Sequence, residues 1–138
     1  MLNKREESRA RPSRVDTSVV LEAPVVLDAV NGTLDPNLPG VKIRIPQSSS
    51  IGVEMAIETI WKGTRADLTT YEPKLEWHFP NQDEIDNGIV IVVEGKHVKE
   101  IEGGILKVWY NVLSDSNGEV IRWESKHAAP LQVVKKRQ

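Results

Sequence analysis

The sequence predicts an all-β fold: one antiparallel β-sandwich of seven or eight strands. Three observations lead there. From Val19 onward apolar residues recur at every second position and not at the 3.6-residue spacing of a helix. Turn-forming clusters separate these runs at intervals of roughly 10–15 residues, as in sandwiches and barrels. No segment reads as a secure helix.

Residues 1–16 read as a basic, poorly ordered arm. Lys4, Arg5, Arg9, Arg11 and Arg14 stand against Glu6 and Glu7, with Pro12 interrupting. Its functional reading is an electrostatic arm for an anionic partner, diluted by the two glutamates. Residues 17–138 form the single expected domain. Val41-Lys-Ile-Arg-Ile45 alternates apolar and basic residues and stops at Pro46, so it is a half-buried strand. Ser48 to Ser50 follow as a loop. Val53 to Trp61 would put Val53, Met55, Ile57 and Trp61 on one face and Glu54 and Glu58 on a solvated one. A helix is open here on propensity, but Thr59, Ile60 and Trp61 favour a strand, with Lys62-Gly63 as the turn after it.

Leu75-Glu-Trp-His-Phe79 alternates again, with Leu75, Trp77 and Phe79 inward, His78 outward and Pro80 as its end. Asp86-Asn-Gly88 is a turn signal. Ile89 to Val93 is an unbroken apolar run, as for a strand covered on both faces or at a sandwich core. Gly95 to Gly104 is polar and irregular. Ile105 to Leu113 is the clearest strand, with Leu106, Val108, Tyr110 and Val112 on one face and Lys107, Trp109 and Asn111 on the other. Asn117-Gly118 then predicts a tight hairpin, and Glu119 to Ser125 is the partner strand. Ala128 to Val134 is a last short strand whose Pro130 argues for an edge or a bulge.

Composition limits the function classes. Hydrophobic residues make up 39% and charged residues 28%, which argues against disorder over the whole length. The absence of cysteine removes disulfides, thiolate metal ligands and a thiol nucleophile. A net charge of −2 favours neither nucleic acid nor an anionic membrane. No run approaches the ~18 apolar residues of a membrane helix. The N-terminus has no apolar core after its charges, so it is not a secretory signal peptide. A cytoplasmic place, export by another route and excision from a longer chain all fit.

The stretch Leu21-Glu-Ala-Pro-Val-Val-Leu-Asp-Ala-Val-Asn-Gly-Thr-Leu-Asp-Pro36 resembles the opening of Ig-like repeat modules in large surface and adhesin-like proteins of pseudomonads and related bacteria. The strand Val41 to Pro46, the Trp61-Lys-Gly63 motif, the strand Gly104 to Val112 and Ser125 resemble later parts of the same modules. The resemblance covers roughly residues 20–134. It implies an Ig-like β-sandwich, a stalk, spacer or binding role, and a cell-surface or secreted location. It implies neighbouring Ig-like modules or another protein as partner.

Catalytic patterns are missing from the chain. His78, His97 and His127 lie at no metal-ligand spacing and read as ordinary surface histidines. Ser125 and His127 are near in sequence without a nucleophile elbow. Glu54 with Glu58, and the acidic loop of Asp83, Glu84 and Asp86, invite a glycosidase or calcium reading. Asp115 to Glu119 invites the calcium reading too, but solvated faces and a hairpin turn account for these residues. No cofactor is expected, with Ca²⁺ the only weak alternative. Asn31-Gly-Thr33 spells a glycosylation acceptor, and a turn is preferred.

The tryptophans carry the remaining information. Trp61 and Trp77 read as core, Trp61 as the central one. A two-residue Asn117-Gly118 turn sets opposite residues so that their numbers total 235. Val112 then faces an inward Trp123, and Trp109 faces Lys126. Lys107, Trp109, Arg122 and Lys126 thus form the candidate partner or ligand face. Its plain reading is a contact of Trp109 with Lys126 or Arg122; its sharper one is a platform for a sugar ring or a protein. The expected function is a non-enzymatic module with a structural, adhesive or protein-interaction role. The alternatives are a carbohydrate-binding module and a small cytoplasmic adaptor or secretion-system accessory.

Overall fold

In the computed structural model, residues 13–15 and 19–135 are described. They form ten strands and two short helices. In chain order these are β1 (Ser13–Val15), β2 (Val25–Val26), β3 (Thr33–Leu34), β4 (Gly40–Ile45), β5 (Ala56–Thr64) and β6 (Thr70–Tyr71). Then come α1 (Gln82–Asn87), β7 (Ile89–Glu94), α2 (Lys96–Lys99), β8 (Ile105–Ser116), β9 (Glu119–Glu124) and β10 (Leu131–Val133). Residues 13–15, expected in the arm, pair as β1 with β9 in parallel. Lys4, Arg5, Arg9 and Arg11 lie outside the described residues.

The strands make two sheets. In the larger, β8 is the spine. All nine residues of β5 run antiparallel along one of its edges, while β9 and β10 share the other. β10 also pairs with β3 in parallel. The smaller sheet is β2-β4-β7, antiparallel throughout. Both sheets send alternate residues into one core. Val41, Ile43, Ile45, Ile89 and Val93 come from the small sheet, and Ile57, Trp61, Leu106, Val108, Tyr110 and Val112 from the large one. Trp61 is fully buried, and its Nε1–H donates to the carbonyl of His97 at 3.3 Å. Trp123 packs against the same core.

The β8–β9 register is the expected one: Val112 pairs with Trp123 and Asn111 with Glu124. Asn117 and Gly118 supply it, with φ of 55° and 79° at the two turn positions. Asn31 and Gly32 also have positive φ, and Thr33 Oγ1 donates to Val30 O, so Asn31-Gly-Thr33 is a turn.

Six expectations are corrected. β5 runs through Lys62-Gly63 to Thr64. No turn forms there because Lys62 and Gly63 stay in the ladder, Gly63 pairing with Leu106 on β8 and Tyr71 on β6, and its missing side chain leaves room for Ile101. Val53 is exposed ahead of the strand, and Glu58 is partly buried. Residues 75–79 form a single bridge, His78 to Ile57, and leave Trp77 48% and Phe79 67% exposed. Pro73 and Pro80 flank the segment and cannot donate to a ladder. The acidic stretch after it is helix α1. Asn81 Oδ1 accepts from the Glu84 N–H, and Glu84 Oε1 accepts from the Asn81 N–H, a capping box. α2 similarly occupies the stretch expected to be irregular. Finally, β10 is paired on both sides, and Pro130 precedes it instead of marking an edge.

Candidate partner-binding surface

The residues expected to form one face each have their own side-chain contacts. Trp109 is half-buried, and its ring stacks on His127 with centroids 3.9 Å apart and planes 8° from parallel. Lys126, its expected neighbour, lies 3.5 Å from Glu22. Arg122 approaches Glu58 at 4.0 Å, and Lys107 sits opposite Lys62 on β5.

A β-bulge explains the change of partner. The Ser125 N–H donates to Tyr110 O, keeping the hairpin register, but the Ala128 N–H donates to Val108 O. One extra residue is therefore inserted on that side. The Lys126 N–H turns away to Leu21 O, and His127 lands on Trp109. Ser125 fixes the bulge: its buried hydroxyl accepts from Tyr110 N–H and donates to Lys126 O. That hydroxyl is held by backbone, so Ser125 and His127 form no nucleophile–base pair. Sequence alternation cannot reveal this arrangement because it presumes an unbroken ladder.

The other two histidines are also engaged. His78 Nε2 is 2.8 Å from Glu84 Oε2 and ties the 72–79 segment to α1. His97 Nδ1 lies 2.7 Å from the Tyr71 hydroxyl. Burial, then the nearby Lys96, holds the His97 pKa below the ordinary histidine value. Burial and Glu100 push the Tyr71 hydroxyl up. Among the described residues no group of three His, Asp or Glu side chains is placed to hold a metal ion.

Sequence reasoning missed the small sheet's solvent face. Val25, Arg44 and Val90 lie in one cross-strand row, and the register carries Leu27, Lys42 and Val92 into the next. Two cations on the central strand are thus flanked on both sides by exposed aliphatic residues. Val90 is 43% and Val92 65% exposed. Among the described residues neither Lys42 nor Arg44 has an ion-pair partner. Isolated exposed apolar residues are ordinary; here they form a contiguous group around two cations. Of the two readings of the run Ile89 to Val93, covered on both faces or set at a sandwich core, the second holds: Ile89 and Val93 are buried, Val90 and Val92 exposed. The signal available in sequence was the pair Lys42 and Arg44, already outward by alternation.

Beside this face β7 is an edge strand, paired among the described residues only with β4. A groove of about 640 Å³ runs along it, with Val90, Val92 and Glu94 on one wall and Lys74, Trp77 and His78 on the other. A second hollow of about 510 Å³ separates the same 72–77 segment from β5.

The chain matches no family model, no curated protein and no solved structure.

Proposed function

We propose that this chain is a non-catalytic, Ig-like β-sandwich module with a structural, adhesive or protein-interaction role in a bacterial surface or secreted protein. Two sheets closing on a central Trp61 support the Ig-like reading, together with the β8–β9 hairpin. One observation carries the interaction role: Lys42 and Arg44, without an ion-pair partner among the described residues, set between exposed Val25, Leu27, Val90 and Val92. Such a surface fits a protein partner that offers carboxylates between apolar side chains. The glycan reading has less support, because His127 covers one face of the Trp109 ring.

The test is selection of binders from a random 12-residue peptide display library on the whole chain. The expected peptides are acidic and apolar. They shift the amide resonances of β4 and β7, and they lose at least tenfold in affinity for the Lys42→Glu, Arg44→Glu double variant. An empty selection, or peptides that bind the double variant equally well, would overturn the interaction role. A glycan array is run in parallel; strong glycan binding lost in Trp109→Ala would replace the reading. Fractionation of the native host tests the surface location.

A further inference from the structure

From the free edge of β7 we infer that the partner is bound as an added strand: an extended peptide pairs with β7 in the groove beside it. The inference deepens the interaction role proposed above and rests on it.

Backbone alternation supplies the first step. The Gly95 N–H donates to Pro39 O, on the register that pairs Val93 with Val41 and Ile91 with Ile43. In an antiparallel ladder the residues exchanging hydrogen bonds alternate with those that do not. Ile89, Ile91 and Val93 therefore turn their N–H and C=O groups toward β4. Val90, Val92 and Glu94 turn theirs outward into the groove. No strand among the described residues meets them. Such an edge is a template for another chain unless something blunts it. Proline and lysine, two common blunting devices, are absent from Ile89 to Glu94.

The groove selects the occupant. Its volume, about 640 Å³, is within the range of a site for one bound ligand. The Lys74–His78 segment forms the opposite wall, so one chain fits between. Strand addition draws affinity from main-chain hydrogen bonds and specificity from alternate side chains. Here the side-chain environment is graded. Trp77, Val90 and Val92 make one end apolar, while Lys74 and Lys96 stand at the end near α2. Lys96 is 3.5 Å from Glu94, and Lys74 has no ion-pair partner among the described residues. Glu76 lines the same wall, so the apolar end rather than net charge selects the occupant: an extended segment with alternating apolar residues, its one carboxylate placed beside Lys74.

The probe is the tightest 12-residue peptide from the display selection, added to the isotope-labelled full chain. Amide hydrogen exchange at Val90, Val92 and Glu94 should slow at least tenfold on binding, with the Ile43 and Ile91 amides unchanged. Val92→Pro removes one outward N–H that has no partner in the fold, a position where an edge strand tolerates proline. It should weaken the peptide at least tenfold. If Val92→Pro does not fold, the exchange data and Trp77→Ala, expected to weaken binding severalfold, carry the test. Unchanged exchange at all three amides would overturn strand addition. If Lys42→Glu, Arg44→Glu still abolished binding, the face would stand without the edge. A concentration-dependent dimer protecting the same amides in the absence of peptide would assign the edge to a second copy and overturn the peptide.

Discussion

The hydroxyl of Tyr110 on β8 donates to the backbone carbonyl of Glu22 at 2.8 Å, joining positions 88 residues apart. The side chain is fully buried, and burial, then Glu22, pushes its pKa up to about 12. Folding therefore holds this proton more tightly than the unfolded chain does. The resulting stability is complete below the ordinary value of 10 and is lost as pH rises toward about 12. We predict a loss of about 2–3 kcal/mol across that window. Tyr110→Phe should cost ~1–2 kcal/mol at neutral pH by leaving the carbonyl unpaired, and should lack this alkaline loss. Urea unfolding from pH 8 to 12 checks both; an unchanged alkaline limb in the variant would refute the assignment.

The stack of Trp109 on His127 predicts an inversion of the order expected from an unbroken ladder. His127→Ala should lower stability by ~0.5–1.5 kcal/mol. Lys126→Ala should cost at most ~0.5 kcal/mol, since its contact with Glu22 is exposed. A larger loss for Lys126→Ala in thermal unfolding would mean the stack does not contribute.

Gly63 sits in mid-strand with Ile101 where a side chain would go. Gly63→Ala should therefore cost ~1–3 kcal/mol through overpacking. Lys62→Ala, one residue away and exposed, should stay within ~0.5 kcal/mol. Denaturant titration of the two variants gives the comparison, and equal midpoints would contradict it.

His97 has a pKa below the ordinary value of 6.5, so the unfolded chain binds its proton more tightly. The stability it confers is complete above about pH 6.5 and is lost as pH falls through the depressed folded value. The unfolding midpoint should drop on acidification below that point, and His97→Asn should flatten that part of the drop. The same acid drop in the variant would place its origin elsewhere.

Where local chemistry leaves one choice, the sequence was legible. Asn117-Gly118 fixed a register, and with it the inward side of β8 and the burial of Val112. The alternation of β4, buried at Val41, Ile43 and Ile45, was legible for the same reason. Alternation says which residues share a face, however, and not whether anything covers that face. Leu75-Glu-Trp-His-Phe79 alternates well, yet no second strand arrives to bury Trp77 and Phe79. For Val90 and Val92 the apolar run left two readings open, two covered faces or one at a sandwich core, and β7 takes the second. The capping box of α1 was spelled out by Asn81 and Glu84, but the Asp86-Asn-Gly88 turn signal masked it. Of the candidate surface, Lys42 and Arg44 were readable as outward. Their apolar neighbours were not, because strand order is not a local property.

The parallel pairing of β10 with β3 also sets a clock. Thr33 and Leu34 find their strand partners in Gln132 and Val133, and the Val134 N–H then donates to Leu34 O. Leu34 and Val133 are both buried in the common core. On a ribosome adding ~5–20 residues per second, Leu34 waits roughly 5–20 s for the strand that covers it. Closure of the sheet therefore trails synthesis of its first strands by that interval, and until it happens the nascent chain presents an unfinished core to whatever proteins surround it.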